Sequence, residues 1–299
     1  MSEERRVKAC TVREAVTNIS DGDRIAFGGF AAYNKAMAVV HEIIRSKKRD
    51  LTIVGVANSL EVDMLVAAGC VKAVETSYVG LEKFGLALNF RRAVQEGRVK
   101  ITHYPELLSW DRFRANQEGF TFWPTELLAG SDILKYNDKI VPFKDPMTGR
   151  QLWAVPPADV DEVIIHMWRG DQYGNLQTQE RKMNPQSVDI SLSRACKRVI
   201  ATVEHMVEKE EIMKSPHLTT VPAFRTMAVS KVRNGSHPTM VLDKVAVDEM
   251  HFRLYADCSK TAEDFKKYLD KYVYGVNCFE QYLELVGMEH VRALRKERD

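Results

Sequence analysis

The chain has 299 residues, of which 45% are hydrophobic and 28% charged, with a formal net charge of +2. This composition is typical of a globular protein with a substantial core, and it offers no membrane-spanning run of about 18 apolar residues. No Lys/Arg-rich run dominates one region, which argues against a nucleic-acid-binding protein.

The amino-terminal residues 1–6 carry charge but no apolar segment, so we expect no secretory signal. Five cysteines are scattered along the chain without a C-x-x-C pair. An odd number of dispersed cysteines favours reduced thiols over a disulfide framework or a zinc site. We therefore expect a cytoplasmic protein without a metal.

Short apolar runs alternate with helical patterns along most of the chain. The strand-like runs cover 24–27, 51–56, 73–79, 99–102, 162–166, 199–203 and 227–230. The helical patterns cover 36–46, 61–68, 86–96, 106–116 and 188–197. This alternation predicts an α/β fold with three layers, in which helices cover a mostly parallel sheet.

Two segments depart from the alternation. Residues 131–157 are rich in proline, which predicts a loop-rich excursion or a small subdomain, and long loops are often functional or interfacial. Residues 259–296 return to a helical pattern, with Thr261 and Asp264 placed to cap a helix. The tyrosines of this tail either pack in the core or form a docking surface for a partner. We predict a single domain over residues 1–299.

The segment from Asp21 to Phe30 contains the first candidate site. An acidic turn leads into a short apolar strand, which ends at Gly28 and Gly29 before a helical pattern. A strand, glycines and a helix bring the backbone close to ligands at the carboxyl edge of a parallel sheet. The peptide N–H groups at Gly28 and Gly29 are therefore predicted to contact a ligand, unless the pair only makes a tight turn. Neither a dinucleotide fingerprint nor a phosphate loop is present.

A series of motifs in the same order resembles a known family. The motifs are residues 21–54, Asp63-Met64-Leu65, residues 69–73, Phe122-Trp123-Pro124, residues 161–166 with Asp171 and Gly174-Asn175, residues 235–238, and residues 259–265. Together they resemble the A (α) subunit of class I CoA-transferases, especially the glutaconate CoA-transferase type. The resemblance implies a CoA-transferase/sugar-phosphate-isomerase-like fold. It also implies a B (β) subunit partner in an α2β2 assembly, and coenzyme A as a substrate thioester without a permanently bound cofactor.

The resemblance also implies site residues. In such enzymes the nucleophilic glutamate belongs to the B subunit, and the A subunit forms the opposing wall. Gly28, Gly29 and Phe30 would then form the edge and floor of the site. Lys35 stands where family members often carry a lysine followed by proline, although Ala36 replaces the proline here; the alternative is a surface lysine.

Asn58 and Ser59 follow the second predicted strand, at the edge where a ligand is expected. A polar loop without a binding role is the default alternative for this pair.

Glu106 is the most informative candidate side chain. It follows Pro105 at a predicted helix start, where a carboxylate is favoured by the helix dipole without any catalytic role. The corresponding position in the resembling transferases is usually glutamine, whereas a related branch of steroid ring-opening CoA hydrolases carries a glutamate that acts as a base. A glutamate here would repel the second carboxylate of a dicarboxylic substrate, which favours a cyclic or monocarboxylic acyl-CoA.

His103 and Glu106 are three residues apart, a spacing that metal ligands can have. A metal site formed by these two residues lacks a third nearby ligand in the sequence.

Three functions follow from these observations. The first is a CoA-transferase A subunit that depends on its B partner for the nucleophile. The second is a subunit of a ring-opening or thioester CoA hydrolase that uses Glu106 as a base. The third is a non-catalytic subunit that binds acyl-CoA.

Overall fold

The computed structural model describes residues 6–180 and 186–296. The strands are β1 (Arg24–Phe27), β2 (Leu51–Val54), β3 (Ala57–Asn58), β4 (Val71–Thr76), β5 (Tyr78–Val79), β6 (Lys100–His103), β7 (Trp123–Thr125), β8 (Val141–Lys144), β9 (Gln151–Val155), β10 (Glu162–Gly170), β11 (Leu176–Gln177), β12 (Arg198–Met206), β13 (Thr219–Val221) and β14 (Thr226–Lys231).

The α-helices are α1 (Val12–Val16), α2 (Met37–Arg45), α3 (Leu60–Ala67), α4 (Leu88–Gln95), α5 (Glu106–Glu118), α6 (Ile133–Tyr136), α7 (Gln186–Ala195), α8 (Lys209–Lys214), α9 (Glu249–Cys258), α10 (Ala262–Leu269), α11 (Phe279–Val286) and α12 (Met288–Ala293). A π-helical turn, Asp270–Tyr274, follows α10. No helix in these described ranges is long and apolar enough to cross a membrane.

The central sheet is mostly parallel. Its parallel strands run in the order β14-β12-β10-β1-β2-β4-β6, and β11 and β13 add antiparallel pairing beyond the far end of β10. Each parallel neighbour is reached through a crossover, so the carboxyl ends of these strands lie at one edge of the sheet. The predicted parallel sheet is therefore confirmed.

The two faces of the sheet bury separate hydrophobic clusters. Along β10, Ile164 packs into the cluster beneath α2, α3 and the carboxyl-terminal helices, whereas Val163 and Ile165 pack with Val188 of α7. Successive side chains of a strand point to opposite faces, so a strand covered on both sides is apolar throughout. This produces the predicted three layers.

The proline-rich excursion and the residues just before it form a small antiparallel sheet with strand order β7-β9-β8. This sheet and the start of α5 enclose a minor core around Tyr104, Leu108 and Val155. Phe120, Leu127 and Val141 on and near the same unit are more than half exposed. This part of the chain is thus a small folded unit with its own minor core.

The carboxyl-terminal helices pack on the body of the protein. The hydroxyl of Thr261 accepts a hydrogen bond from the Asp264 N–H (3.0 Å), so the predicted cap of α10 is confirmed. Tyr268 and Tyr282 are buried. Core packing is therefore correct for these rings, although Tyr274 remains 46% exposed.

Histidines join this tail to the loop before it. His237 Nδ1 lies 2.7 Å from the Tyr282 hydroxyl, and its Nε2 lies 2.9 Å from Asp248 Oδ2. His251 Nε2 lies 2.8 Å from the Tyr268 hydroxyl. Burial lowers the pKa of His251 from 6.5 to about 3, and it also lowers the pKa of His237.

We expect acid to destabilise this cluster. The folded chain binds fewer protons at His251 than the unfolded chain, so its stabilisation is complete above the unfolded pKa of 6.5 and is lost as the pH falls from there toward 3. Urea unfolding between about pH 7.5 and about pH 4.5 should show a free energy of unfolding that falls more steeply in the wild type than in His251→Gln, by up to about 1.4 kcal/mol per pH unit. Equal slopes would contradict this role of His251.

Candidate functional site

The glycine pair after β1 forms a tight turn against α7. Gly29 adopts a φ of +71°, in the left-handed region that glycine tolerates best. Its N–H donates to Asp189 Oδ1 of α7 at 2.7 Å. A Cβ atom on Gly28 would clash with the same Asp189 oxygen. The lack of a side chain at Gly28 therefore makes room for Asp189.

The peptide N–H groups of this turn already have partners within the chain. Gly28 donates to a carbonyl of β10 at 2.8 Å, Gly29 donates to Asp189, and Phe30 donates to the Tyr33 carbonyl at 3.1 Å. In this structure the amides of Gly28 and Gly29 are therefore not free to contact a ligand, and the pair makes the tight turn that the sequence left open as the alternative. Phe30 and Tyr33 are only partly buried, so their side chains are the exposed surface of the turn.

Lys35 lies completely buried behind the turn. Its ammonium lies 2.9 Å from Glu61 Oε1 and donates to the carbonyls of Gly29 (3.3 Å) and Ala57 (3.2 Å). An ammonium has three N–H donors, and these three acceptors use all of them. Lys35 is therefore neither a surface lysine nor free to bind a substrate, and it holds the turn against β3.

Asn58 and Ser59 belong to the same network. Glu61 Oε1 accepts a hydrogen bond from Asn58 Nδ2 (3.0 Å), and Glu61 Oε2 accepts one from the Ser59 N–H (3.0 Å). Asn58 and Ser59 are both buried, so in this chain they support the loop after β2 from within. Lys35, Asn58 and Ser59 thus converge on one carboxylate, and Gly29 joins them through Lys35.

Glu61 and Asp189 are not among the residues that the sequence predicts for the site. An acidic residue in the first turn of a helix is the available signal for Glu61, but that pattern usually marks a solvated helix end. Asp189 lies within a predicted helix and 160 residues from its partner Gly29, so no local pattern reveals the contact. Both side chains are completely or almost completely buried.

The electrostatics of Asp189 are set by its burial. Burial raises the pKa of Asp189 to about 7, against the opposing effects of the Gly29 amide and the Lys35 ammonium. Its second oxygen, Oδ2, is buried and has no hydrogen-bond partner among the described residues. Asp189 is therefore a carboxylate whose charge responds to pH near neutrality.

Glu106 lies at the same edge of the sheet but apart from this network. It is the first residue of α5, preceded by Pro105 at the cap position, and its side chain is exposed. Three strand spacings, about 14 Å along the sheet edge, separate β1 from β6, and α5 with Glu106 follows β6. No hydrogen bond or ion pair in the described part of the chain joins Glu106 to Glu61 or Asp189.

A family model and several known proteins that are similar to this chain point to the same family. Residues 10–231 match the family model described as coenzyme A transferase. The chain is 30% identical to the A subunit of 3-oxoadipate CoA-transferase from Pseudomonas knackmussii, over 91% of this chain and 95% of that protein. It is 27% identical to a cholesterol ring-cleaving hydrolase IpdA subunit of Rhodococcus jostii, over 91% of this chain and 93% of that protein.

The fold agrees with a solved structure. The glutaconate coenzyme A-transferase of Acidaminococcus fermentans superposes with a TM-score of 0.92 at 27% identity, over 97% of this chain and 96% of that chain.

The buried Lys35–Glu61 pair gives a direct test of the network. We expect Lys35→Met to lower the free energy of unfolding by about 3–5 kcal/mol, because it leaves the Glu61 carboxylate buried without a cation. Lys35→Met combined with Glu61→Gln should recover most of that loss, and urea unfolding measures both. Lys72→Met, at an exposed position of β4, serves as the control and should change stability by less than about 0.5 kcal/mol. A Lys35→Met protein as stable as this control would contradict the network.

Proposed function

Because the chain belongs to the coenzyme A transferase family, we propose that it is the A subunit of a heteromeric enzyme that moves CoA between an acyl-CoA and a carboxylic acid. In this proposal a B subunit supplies the nucleophilic glutamate. The A subunit supplies the opposing wall of the acyl site, at the carboxyl edge of its sheet.

The carboxylates next to the glycine turn support this division of labour. A nucleophile must approach the thioester carbonyl directly, with an unshared oxygen exposed to the substrate. Glu61 is buried and paired with Lys35, and Asp189 is buried and bound to the Gly29 amide. Neither side chain is placed for attack. Glu106 is exposed but follows β6, three strand spacings from the glycine turn, so the nucleophile is proposed to come from another polypeptide. The Pseudomonas relative is itself named as one of the subunits of its enzyme, which is consistent with such a partner.

Glu106 carries the substrate preference in this proposal. Its exposed carboxylate at the sheet edge would repel a second carboxylate on the acyl group. We propose that the acyl group is monocarboxylic or cyclic. Phe30 contributes apolar surface to the site, whereas Gly28, Gly29, Lys35, Asn58 and Ser59 hold that surface in place from behind.

Hydrolysis of a cyclic acyl-CoA is the second candidate. The observation in its favour is that Glu106 is an exposed carboxylate that forms no ion pair within the described residues, so its oxygens are open to a water molecule. The similarity to a ring-cleaving hydrolase subunit points the same way.

The proposed assembly is an α2β2 enzyme of the cytoplasm that takes coenzyme A as a substrate thioester and needs no permanently bound cofactor. The five free cysteines support a reducing compartment.

The two chemistries differ in their need for an acceptor acid. The chain is combined with its B partner and acyl-CoA, with and without an acceptor acid; free CoA thiol is titrated, and the acyl-CoA species are separated by chromatography. Transfer exchanges one thioester for another, so we expect a new acyl-CoA made from the acceptor acid and no release of free CoA thiol. Steady release of free thiol without an acceptor identifies hydrolysis, and neither a new acyl-CoA nor free thiol under either condition would contradict an acyl-CoA enzyme.

Replacing Glu106 separates the roles proposed for it. Under transfer, Glu106→Gln should keep turnover within about tenfold, because glutamine still donates and accepts hydrogen bonds. Under hydrolysis it should lose about 100-fold or more, because an amide cannot accept the proton from water. Glu118→Gln, at the other exposed end of α5, is the matched control and should leave turnover unchanged. Turnover by the isolated chain would contradict the need for a B subunit.

A further inference from the structure

The contact between α7 and the glycine turn is not explained by packing alone. Asp189 is almost completely buried, yet among the described residues only its Oδ1 has a partner, the Gly29 N–H at 2.7 Å. Its Oδ2 is left without a hydrogen bond among the described residues. Burying a carboxylate in this state is unfavourable, and an apolar side chain would fill the same place at lower free energy. We therefore expect Asp189 to have a role other than stabilising the hydrophobic core.

The carbonyl group of Gly29 is also fixed by a hydrogen bond. The Gly29 carbonyl accepts a hydrogen bond from the Lys35 ammonium at 3.3 Å, and Lys35 is itself fixed by Glu61 at 2.9 Å. Glycine has the most flexible backbone of any residue, so a turn at a φ of +71° needs external contacts to keep one orientation. Here a carboxylate and an ammonium from two different elements hold the N–H and the C=O of one residue.

The orientation of Gly29 determines where the next residue points. Phe30 follows directly, is partly buried, and packs against the cluster on the α7 side of the sheet. Fixing both polar groups of Gly29 therefore fixes the exposed part of the Phe30 ring at the carboxyl edge.

We propose that Asp189 is a positioning residue for the acyl site, which sets the orientation of the Gly29 peptide and thereby of Phe30 through its bond to the Gly29 N–H. The proposal rests on the transferase-family function proposed above. Asp189 acts through Gly29 and does not contact the substrate.

The charges around Asp189 make this contact dependent on pH. It faces the Lys35 ammonium and the Gly29 amide, while Ile165 of β10 presents an apolar surface to the same turn. Lys35 in turn is paired with Glu61 of α3, so it acts on Asp189 only through its charge. The raised pKa of Asp189, about 7, means that protonation near neutrality would weaken its bond to the Gly29 N–H. Activity should therefore rise as the pH increases through about 7.

Two variants separate positioning from simple structural support. Asp189→Asn keeps a side-chain oxygen that accepts the Gly29 N–H but cannot titrate, whereas Asp189→Ala removes the acceptor. In the enzyme assembled with its B subunit, we expect Asp189→Ala to lower kcat about tenfold or more. We expect Asp189→Asn to keep kcat within about threefold above pH 8 and to lose the rise through pH 7. Asp257→Asn, an exposed carboxylate of α9, is the control and should retain the wild-type pH profile. An Asp189→Asn enzyme with the wild-type pH profile would overturn the proposal.

A second measurement does not depend on activity. Selective ¹⁵N-glycine labelling gives amide signals for the 16 glycines of the chain. Labelling the glycine carbonyls with ¹³C as well assigns the Gly29 amide, because Gly28-Gly29 is the one Gly-Gly pair in the sequence. We expect the Gly29 amide shift to titrate near pH 7 in the wild type and to stay constant in Asp189→Asn. A constant shift in the wild type would refute the contact even if the enzyme proves inactive. An active enzyme with unaffected variants would refute only the positioning role.

Discussion

The buried ion pair between Lys35 and Glu61 is the interaction on which the candidate site depends. It connects the loop after β1 to the start of α3, because Lys35 also binds the carbonyls of Gly29 and Ala57 and Glu61 also binds Asn58 and the Ser59 amide. A buried pair of this kind is a weak source of net stability, but removing one member is strongly destabilising. Its effect here is geometric, since two loops at the carboxyl edge of the sheet keep a fixed relation to one another.

This constraint changes the role of the glycine turn. Free amides would have made the turn a direct ligand for an acyl group, whereas the structure uses its amides to bind α7, β10 and the turn itself. The turn is therefore a rigid support that holds Phe30 at the surface. The chain thus contributes a preorganised surface and one exposed carboxylate, Glu106, to the edge where parallel sheets commonly bind ligands. A surface of this kind fits a subunit that completes its site with a partner.

Much of the fold can be predicted from the sequence. The apolar pattern predicts the first strand at residues 24–27, where the structure has Arg24–Phe27, and the first turn of α5 begins at Glu106 as expected. These elements follow from local periodicity and from helix-start signals, which the sequence displays directly. The long strands β10 and β12 extend beyond their predicted ends because pairing with each other sustains them.

The polar interior of the site cannot be predicted in the same way. Lys35 and Asn58 do belong to one cluster, but their burial is not visible in the sequence, since burial depends on tertiary packing. No local sequence pattern distinguishes the buried carboxylates of Asp189 and Glu61 from solvated ones. The resemblance to a family identifies the segments that form the candidate site. The hydrogen bonds of the structure then show which side chains in those segments are already bound and which remain available for catalysis.

The most direct test of a nucleophile supplied by the partner is to locate the covalent intermediate. The enzyme assembled from this chain and its B subunit is incubated with acyl-CoA, trapped with borohydride, and both polypeptides are mapped by peptide mass spectrometry. We predict a reduced glutamate in the B subunit, with no modified carboxylate in this chain. Modification of Glu106, Glu61 or Asp189 would contradict the division of labour between the two polypeptides.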